Sequence, residues 1–398
     1  MDYIKESART LEIKDSYDVI VAGGGVAGVA SALSAARCGA KVLLIEKQYM
    51  LGGLATAGLI TIYLPICDGE GRQVSFSIAE ELLRVSVKHG IEDRNPKPWF
   101  EGGTIEEKKE RRFEVQFNAN VCAILYEQLL KENGVDILYG TSVCAAPVCR
   151  NKIKAIVVEN KSGRYAYACK SVVDCTGDAD ICALSGEDTE LFKQGNVLAS
   201  WYYSVNEGNF NLHQLGYADI PDKYKKHEDD RNLKRYGGLD AVEVSQMTCD
   251  AHENVLKDYL MRYKECTKNP ALALIATVPQ VRMTRRVKGL YELDDTEMHK
   301  EFSDSIGLIS DWRKPGPVYE VPFSALHGSK IKNLITAGRC ISVTDAMWDI
   351  SRVIPCCAVT GEAAGMAAAM TDNFNTVSVR KLQKSLSDRG VVLHEKNL

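Results

Sequence analysis

The 398-residue sequence has no Cys-x-x-Cys pair. Its absence takes away the usual anchor for an iron–sulfur cluster or a zinc knuckle, and no metal site is expected. The thirteen cysteines are odd in number and irregularly spaced, which argues against a secreted disulfide framework. They read as small buried hydrophobes in a reducing cell. No uninterrupted apolar run approaches a membrane span, so no membrane partner is expected. The first strand pattern begins too early for a removed signal peptide to precede it, and the expected location is cytoplasmic. Positive charge is not in excess: the net charge is −4, and no basic field advertises a nucleic-acid partner. Internal repeats and low-complexity segments are also lacking.

What is present is a hydrophobic fraction of 45% and a charged fraction of 26%, the proportions of a globular chain long enough for two domains, one of them discontinuous. The chain is organised around Tyr17 to Glu46. Asp18 to Ala22 is a short Val/Ile-rich run suited to a parallel strand covered on both faces. Gly23-x-Gly25-x-x-Gly28 follows at once. Gly23 suits a tight turn, Gly25 lets backbone approach a pyrophosphate, and Gly28 allows close helix–strand contact. An alanine-rich helix then runs to Cys38-Gly39-Ala40, and Lys41 to Ile45 returns as a second strand. Glu46 stands at the end of that strand, where a carboxylate accepts hydrogen bonds from an adenosine ribose. Strand, turn, helix, strand and acid in this order predict a dinucleotide site. An ordinary βαβ unit leaves Glu46 unexplained.

Met50 to Gly58 is a second glycine-rich stretch, either close to a flat ligand or a flexible loop. Helices are expected at Ser75 to His89, stopping at Gly90, and at Asn120 to Asn133, with residues 92–112 an excursion between them. Val135 to Leu138 reads as a strand. Ile153 to Glu159 and Tyr165 to Lys170 alternate about Ser162-Gly163 as an antiparallel hairpin crossing over the sheet, and Ser171 to Asp174 resumes a buried strand. Further on come a very polar stretch from Asp222 to Arg235, a helix over Val255 to Glu265, and strands over Ala271 to Arg282, Tyr319 to Phe323 and Leu334 to Ala337. Pro355 to Met370 is a helix of small residues with proline at its opening. The expectation is an α/β fold: a Rossmann-like FAD/NAD(P)-binding domain with a parallel sheet and an antiparallel crossover hairpin, plus a smaller α+β substrate domain. Residues 1–90, 113–189 and 320–398 form the first, and 91–112 and 190–319 the second.

Four stretches together carry a family likeness: the Gly23 turn with Glu46, the Gly52-Gly53 segment, Asp174-Cys-Thr-Gly-Asp178, and Ala337-Gly-Arg-Cys-Ile-Ser342 followed by Arg352 to Gly365. With these the chain resembles the bacterial FAD-dependent oxidoreductases of the glutathione-reductase-like FAD-binding fold, related to fumarate-reductase-like and thiazole-synthase-like flavoproteins. The likeness spans nearly the whole chain, and it implies FAD over NAD. It places Gly23, Gly25, Val26, Ala27 and Gly28 on the pyrophosphate, Glu46 at the adenosine ribose, and Lys47, Gly52, Gly53, Leu54 and Ala55 along the cofactor. It further places the backbone of Val143 at the adenine, Thr176, Gly177 and Asp178 beside the dinucleotide, and Gly338 and Arg339 along the ribityl and pyrophosphate portion. The N-terminus at Pro355 is aimed at the flavin N1 and O2 edge, with Cys356, Cys357 and Ala358 acting through backbone. Related sequences often carry His after the Thr of the Ser-x-Thr segment. This chain has Asp345 there, so a step assigned to that His does not transfer.

Flavin chemistry on a small-molecule substrate needs a group to move the proton and groups to fix the substrate. Asp345 is the preferred acid or base, against a helix-cap role. Alternation sets Arg282 and Arg286 on one strand face and Arg285 on the other, to bind a substrate carboxylate, to sit in solvent, or to pair with Asp294 or Asp295. Arg352 is placed to contact flavin or substrate. His327 reads as a surface loop residue, while Trp201, Tyr202 and Tyr203 either wall the pocket or fill the core. The activity expected is hydride transfer between the flavin and a small polar, carboxylated metabolite. Use of FAD without net redox change, and an electron-transfer subunit, are the alternatives. Substrate identity and homo-oligomer formation stay open.

Overall fold

The computed structural model of the protein describes residues 3, 4, 8, 10–89, 95–217, 219–225, 233–265 and 270–398. Gly90 and parts of the 92–112 and 222–235 stretches lie outside them.

The centre of the molecule is a strand pair, Ile13–Ala22 beside Gly163–Asp174, running parallel over nearly their full length. Val19 to Ala22 and Val172 to Asp174 are wholly buried, as continuous apolar strand segments are when both faces of a sheet are covered. Val42–Ile45 pairs parallel with the first strand and Asp136–Leu138 pairs parallel with it in turn.

The long strand Gly163–Asp174 serves two different neighbours on its other side. Residues 163–168 pair antiparallel with Ala155–Asn160, which carries the edge strand Ser142–Ala145. Residues 172–174 pair parallel with Leu334–Thr336. The hairpin strand and the buried strand expected as separate elements are therefore one. The half-solvated alternation of the first part gives way to full burial in the second without any break in the chain. The hairpin closes through Lys161-Ser162, with Gly163 at φ +99° already paired to Asn160.

Helix Val26–Arg37 crosses one face of the sheet, and helix Ile354–Met370 lies against it. Small residues at their contact set the spacing. A Cβ on Gly361 would lie 2.5 Å from the carbonyl oxygen of Ala27, and one on Gly365 would lie 2.1 Å from that of Ser31. Helix Ile78–Val87 also packs here, and helix Ala119–Glu132, capped by Asn118 through its side chain, follows.

Beyond the main sheet, Tyr202–Asn206 is the middle strand between Asn209–His213 and Ala271–Ile275. Arg285–Val287 pairs with Thr189–Leu191, and Ser305–Ser310 with Val318–Pro322. Two expectations need correction here. The helix expected at Val255 begins at Ala241, because its buried apolar positions, Met247 and Val255, are too far apart to show a helical period. The strand expected over Ala271 to Arg282 ends at Ile275. Past Pro279 the chain is held by side-chain amides instead of a ladder: Asn196 accepts from the N–H of Arg282 and of Met283, and Gln280 donates to the Gly58 carbonyl. Among the described residues no single helix is long and apolar enough to cross a membrane.

Candidate dinucleotide and substrate site

The Gly23 turn lies where Ala22 of the first strand meets the start of helix Val26–Arg37. Gly23 has φ +100°, and a Cβ there would lie 2.4 Å from the Cys175 carbonyl oxygen, so the turn rests directly on the end of the long strand. A Cβ on Gly28 would fall 1.8 Å from the Gly23 oxygen. A Cβ on Gly25 would meet nothing within 4 Å, which leaves open space where a pyrophosphate is to approach. Helix Val26–Arg37 has no acidic residue in its first turn, and its first internal hydrogen bond runs from Val29 to Gly25. The N–H groups of Val26, Ala27 and Gly28 precede that bond and so point out of the helix end, the arrangement that favours an anion.

Glu46 stands beside this turn with its carboxylate bound by two backbone donors, Gly24 at 2.6 Å and Gln48 at 2.7 Å. Its own backbone bonds to Leu138 and Thr141, which bring the edge strand bearing Val143 alongside. Lys47 is exposed next to it. The second glycine stretch closes the other side: Gly52 donates to Gly24 at 2.8 Å, and Gly53, Leu54 and Ala55 form a single tight helical turn. A Cβ on Gly53 would come within 3.2 Å of Gly25 Cα.

At the end of the long strand, buried Asp174 accepts hydrogen bonds from Thr176, Ile181 and Cys182 and fixes the loop that carries Gly177 and Asp178. Gly177, at φ +80°, leaves room for the Arg339 guanidinium, 2.2 Å from where a Cβ would stand. Arg339 donates to the Val281 and Arg282 carbonyls and reaches Asp178 at 3.5 Å. Gly338 is pressed between Ala27 and Cys357, at 2.8 and 3.3 Å from its would-be Cβ.

Helix Ile354–Met370 starts one residue before the expected Pro355, and this shift corrects the backbone donors. Cys357 N–H already bonds to Val353 at 3.0 Å, and Ala358 N–H falls to the Ile354 carbonyl by the helical rule. Pro355 has no N–H. The free donors of this helix end are those of Ile354 and Cys356.

A model of the family described as FAD dependent oxidoreductase matches residues 18–200 and 192–386. The chain belongs to that family. FAD is therefore the cofactor of the oxidoreductase, and the open space at Gly25, the free N–H groups of two helix ends and the donor-bound Glu46 carboxylate fit an extended dinucleotide. Among curated proteins, glutathione reductase of Debaryomyces hansenii is 28% identical over 212 residues, covering 50% of this chain and 36% of that protein. Vinyl phenol reductase of Lactiplantibacillus plantarum is 51% identical over 92 residues, covering 23% of this chain and 18% of that protein. The chain thus spans little more than a third, at most, of the relatives it matches. A solved geranylgeranyl bacteriochlorophyll reductase-like protein from Thermoplasma acidophilum aligns with 94% of this chain and 84% of its own at 14% identity and a TM-score of 0.47.

The polar residues expected to carry the chemistry fall into two groups in the oxidoreductase. Asp345 is the first residue of helix Asp345–Ser351, whose cap is the neighbouring Thr344 side chain, so Asp345 is not the cap. It pairs with Arg286 at 2.8 Å; Arg286 also reaches Glu190 and Glu292, each at 3.3 Å, and lies over the Trp348 ring. Arg285 is held by Asp180 and by the Asp178 carbonyl. The ion pairs of these two arginines among the described residues run to Asp180, Glu190, Glu292 and Asp345, and Arg282 is off the strand altogether, so the alternation argument does not hold.

The second group surrounds Asp349, which is shared between Arg352 at 2.7 Å and Arg313 at 3.3 Å. Arg352 Nε is buried without a hydrogen-bond partner. Arg282 belongs here. Burial, with Arg352 and Arg339 nearby, pulls its pKa down to about 9 against the opposing effect of the Asp349 carboxylate. Nothing in the sequence singles out Gln280 and Asn196, which set its position, or Arg313.

His327 is corrected from surface to core. It is 3% exposed, lies between the Phe323 and Phe374 rings, and has Nδ1 3.0 Å from the Gly328 carbonyl, with burial lowering its pKa. Trp201, Tyr202 and Tyr203 are all buried.

Proposed function

We propose that this FAD-dependent oxidoreductase transfers a hydride between a small polar, carboxylated metabolite and flavin N5. The reacting site lies between the FAD domain, residues 1–90, 113–189 and 320–398, and a substrate domain of residues 91–112 and 190–319. One observation supports this reading most. Ala27 faces Gly361 and Ser31 faces Gly365, so the two helices run parallel and Val26 falls level with Thr360. Helix Ile354–Met370 therefore begins six residues, roughly 9 Å at 1.5 Å per residue, ahead of helix Val26–Arg37. Two anion-favouring helix ends staggered by the reach of a ribityl chain suit a pyrophosphate at one and the ring at the other.

Bound FAD supplies N5 as the centre that takes or gives the hydride. The chain supplies position, field and a proton path. The N–H groups of Ile354 and Cys356 favour negative charge at the ring edge near them. Asp345 is the proposed proton acceptor, its carboxylate oriented by Arg286. Arg352, held by Asp349, orients the substrate.

An anaerobic screen of small carboxylated metabolites against the purified holoprotein tests the proposal. Loss of the oxidised flavin absorbance with one of them is the expected result. A flavin that no metabolite reduces, and that no metabolite reoxidises after chemical reduction, would overturn it.

A further inference from the structure

Arg282 is 5% exposed, yet its guanidinium forms no ion pair among the described residues. Its side chain makes a single hydrogen bond there, from Nη1 to the Gln280 carbonyl at 3.2 Å, and it lies 5.8 Å from the centre of the Trp201 ring. The acids of the neighbourhood are committed elsewhere. Asp349 is divided between Arg352 and Arg313, Asp311 is bound by Arg313, and Asp178 receives Thr284 and Arg339.

The Asp349 carboxylate favours the Arg282 charge from beyond ion-pair distance but is already shared by Arg352 and Arg313, so the buried guanidinium carries a desolvation cost that a bound anion would offset. The position of this one is also enforced. The Arg282 backbone N–H is fixed by Asn196 at 3.1 Å and its carbonyl by Arg339. Gln280, two residues before, ties the same stretch to Gly58 at 2.6 Å and to the Trp201 N–H. Arg282 is thus clamped between the second glycine stretch of the cofactor cradle and the aromatic side of Trp201. Arg352, with its unpartnered Nε, stands near enough to disfavour the Arg282 charge.

We propose that Arg282, with Arg352 beside it, is the anion-binding subsite of the oxidoreductase, taking the carboxylate of the substrate. The subsite rests on the function proposed above only in calling that anion a substrate. The same chemistry has a second source in the cofactor itself, whose phosphates or reduced ring are also anionic.

Titration of the oxidised holoprotein with malonate, followed by the flavin absorbance spectrum, separates the two sources. The wild type is expected to show a saturable spectral shift. Arg282→Gln is expected to weaken malonate binding about tenfold or more, the loss of a charge-assisted hydrogen bond, and Arg282→Lys to restore part of it. Affinity for FAD, measured separately by fluorescence on the apoprotein, is expected to be the same in all three. Arg282→Met is included because removal of an uncompensated buried charge is expected to raise the melting temperature without malonate, whereas a structural role would lower it. Absence of any saturable shift in the wild type, malonate binding by Arg282→Gln equal to wild type, or a loss of FAD affinity in that variant would overturn the proposal. If malonate binds through Arg282 while no metabolite reduces the flavin, the subsite stands and hydride transfer falls. If an uncharged metabolite reduces the flavin equally well in Arg282→Gln, hydride transfer stands and the subsite falls.

Discussion

Glu46 shows how much one side chain organises. Its carboxylate receives the N–H groups of Gly24 and Gln48, so it fixes the glycine turn from the side while remaining in place for a ribose. Hydrogen bonds to a charged group are worth about 1.5–3 kcal/mol each, and Glu46→Ala is expected to weaken FAD binding by roughly ten- to a hundredfold. Flavin fluorescence titration of the apoprotein measures this. Glu362 is a different case, a carboxyl buried on helix Ile354–Met370 that accepts hydrogen bonds from Ser77 Oγ at 2.7 Å and Ile78 N–H at 3.1 Å. Burial outweighs those bonds and raises its pKa from 4.5 to about 7. The folded protein therefore holds a proton that the unfolded chain releases, and stability contributed by this group is present below about pH 4.5 and lost as pH rises to about 7. The loss amounts to about 3–4 kcal/mol at roughly 1.4 kcal/mol per unit. Glu362→Gln is expected to flatten that part of the profile, read as the difference between wild-type and variant melting temperatures at pH 5 and pH 8.

Among the elements, the pair of helices Val26–Arg37 and Ile354–Met370 decides where the two helix ends lie. Their closeness depends on glycine at two contacts, not on apolar bulk. Gly365→Ala would place a methyl 2.1 Å from the Ser31 oxygen, and the overpacking is expected to cost about 1–3 kcal/mol and to lower the FAD content of the purified protein. Gly39→Ala is the comparison. Its φ of +84° strains an alanine but nothing lies within 4 Å of the new methyl, so it is expected to lower the melting temperature without changing FAD affinity. The one-residue shift in the start of helix Ile354–Met370 belongs to this scale too. Proline is favoured at the first helical position but tolerated in the rest of the first turn, so its presence marks a helix start but not the register that leaves Ile354 and Cys356, instead of Cys357 and Ala358, with free N–H groups.

For the whole molecule, the proposed FAD site draws on the first strand, the second glycine stretch, the end of the long strand and the last third of the chain, so a ligand bound there ties distant segments together. FAD at a hundred times its dissociation constant is expected to stabilise the fold by about 2.7 kcal/mol, visible as a higher melting temperature for the holoprotein than for the apoprotein. By itself the sequence determined the strand, glycine turn, helix and Glu46, and also the small-residue helix near the end, because each follows from local requirements: burial on two faces, a turn only glycine permits, a period of 3.6 residues. It did not determine the length of helix Ala241–Glu265, whose buried positions are too sparse to show a period, or the burial of His327 between two phenylalanines. Nor did it determine which arginine forms no ion pair among the described residues. Strand alternation groups Arg282 with Arg286 and sets Arg285 apart, whereas the packing of separate segments gives Asp180 to Arg285 and Asp345, Glu190 and Glu292 to Arg286. Charge pairing across long sequence separations is a property of the assembled fold, since the partners meet only after the backbone has closed.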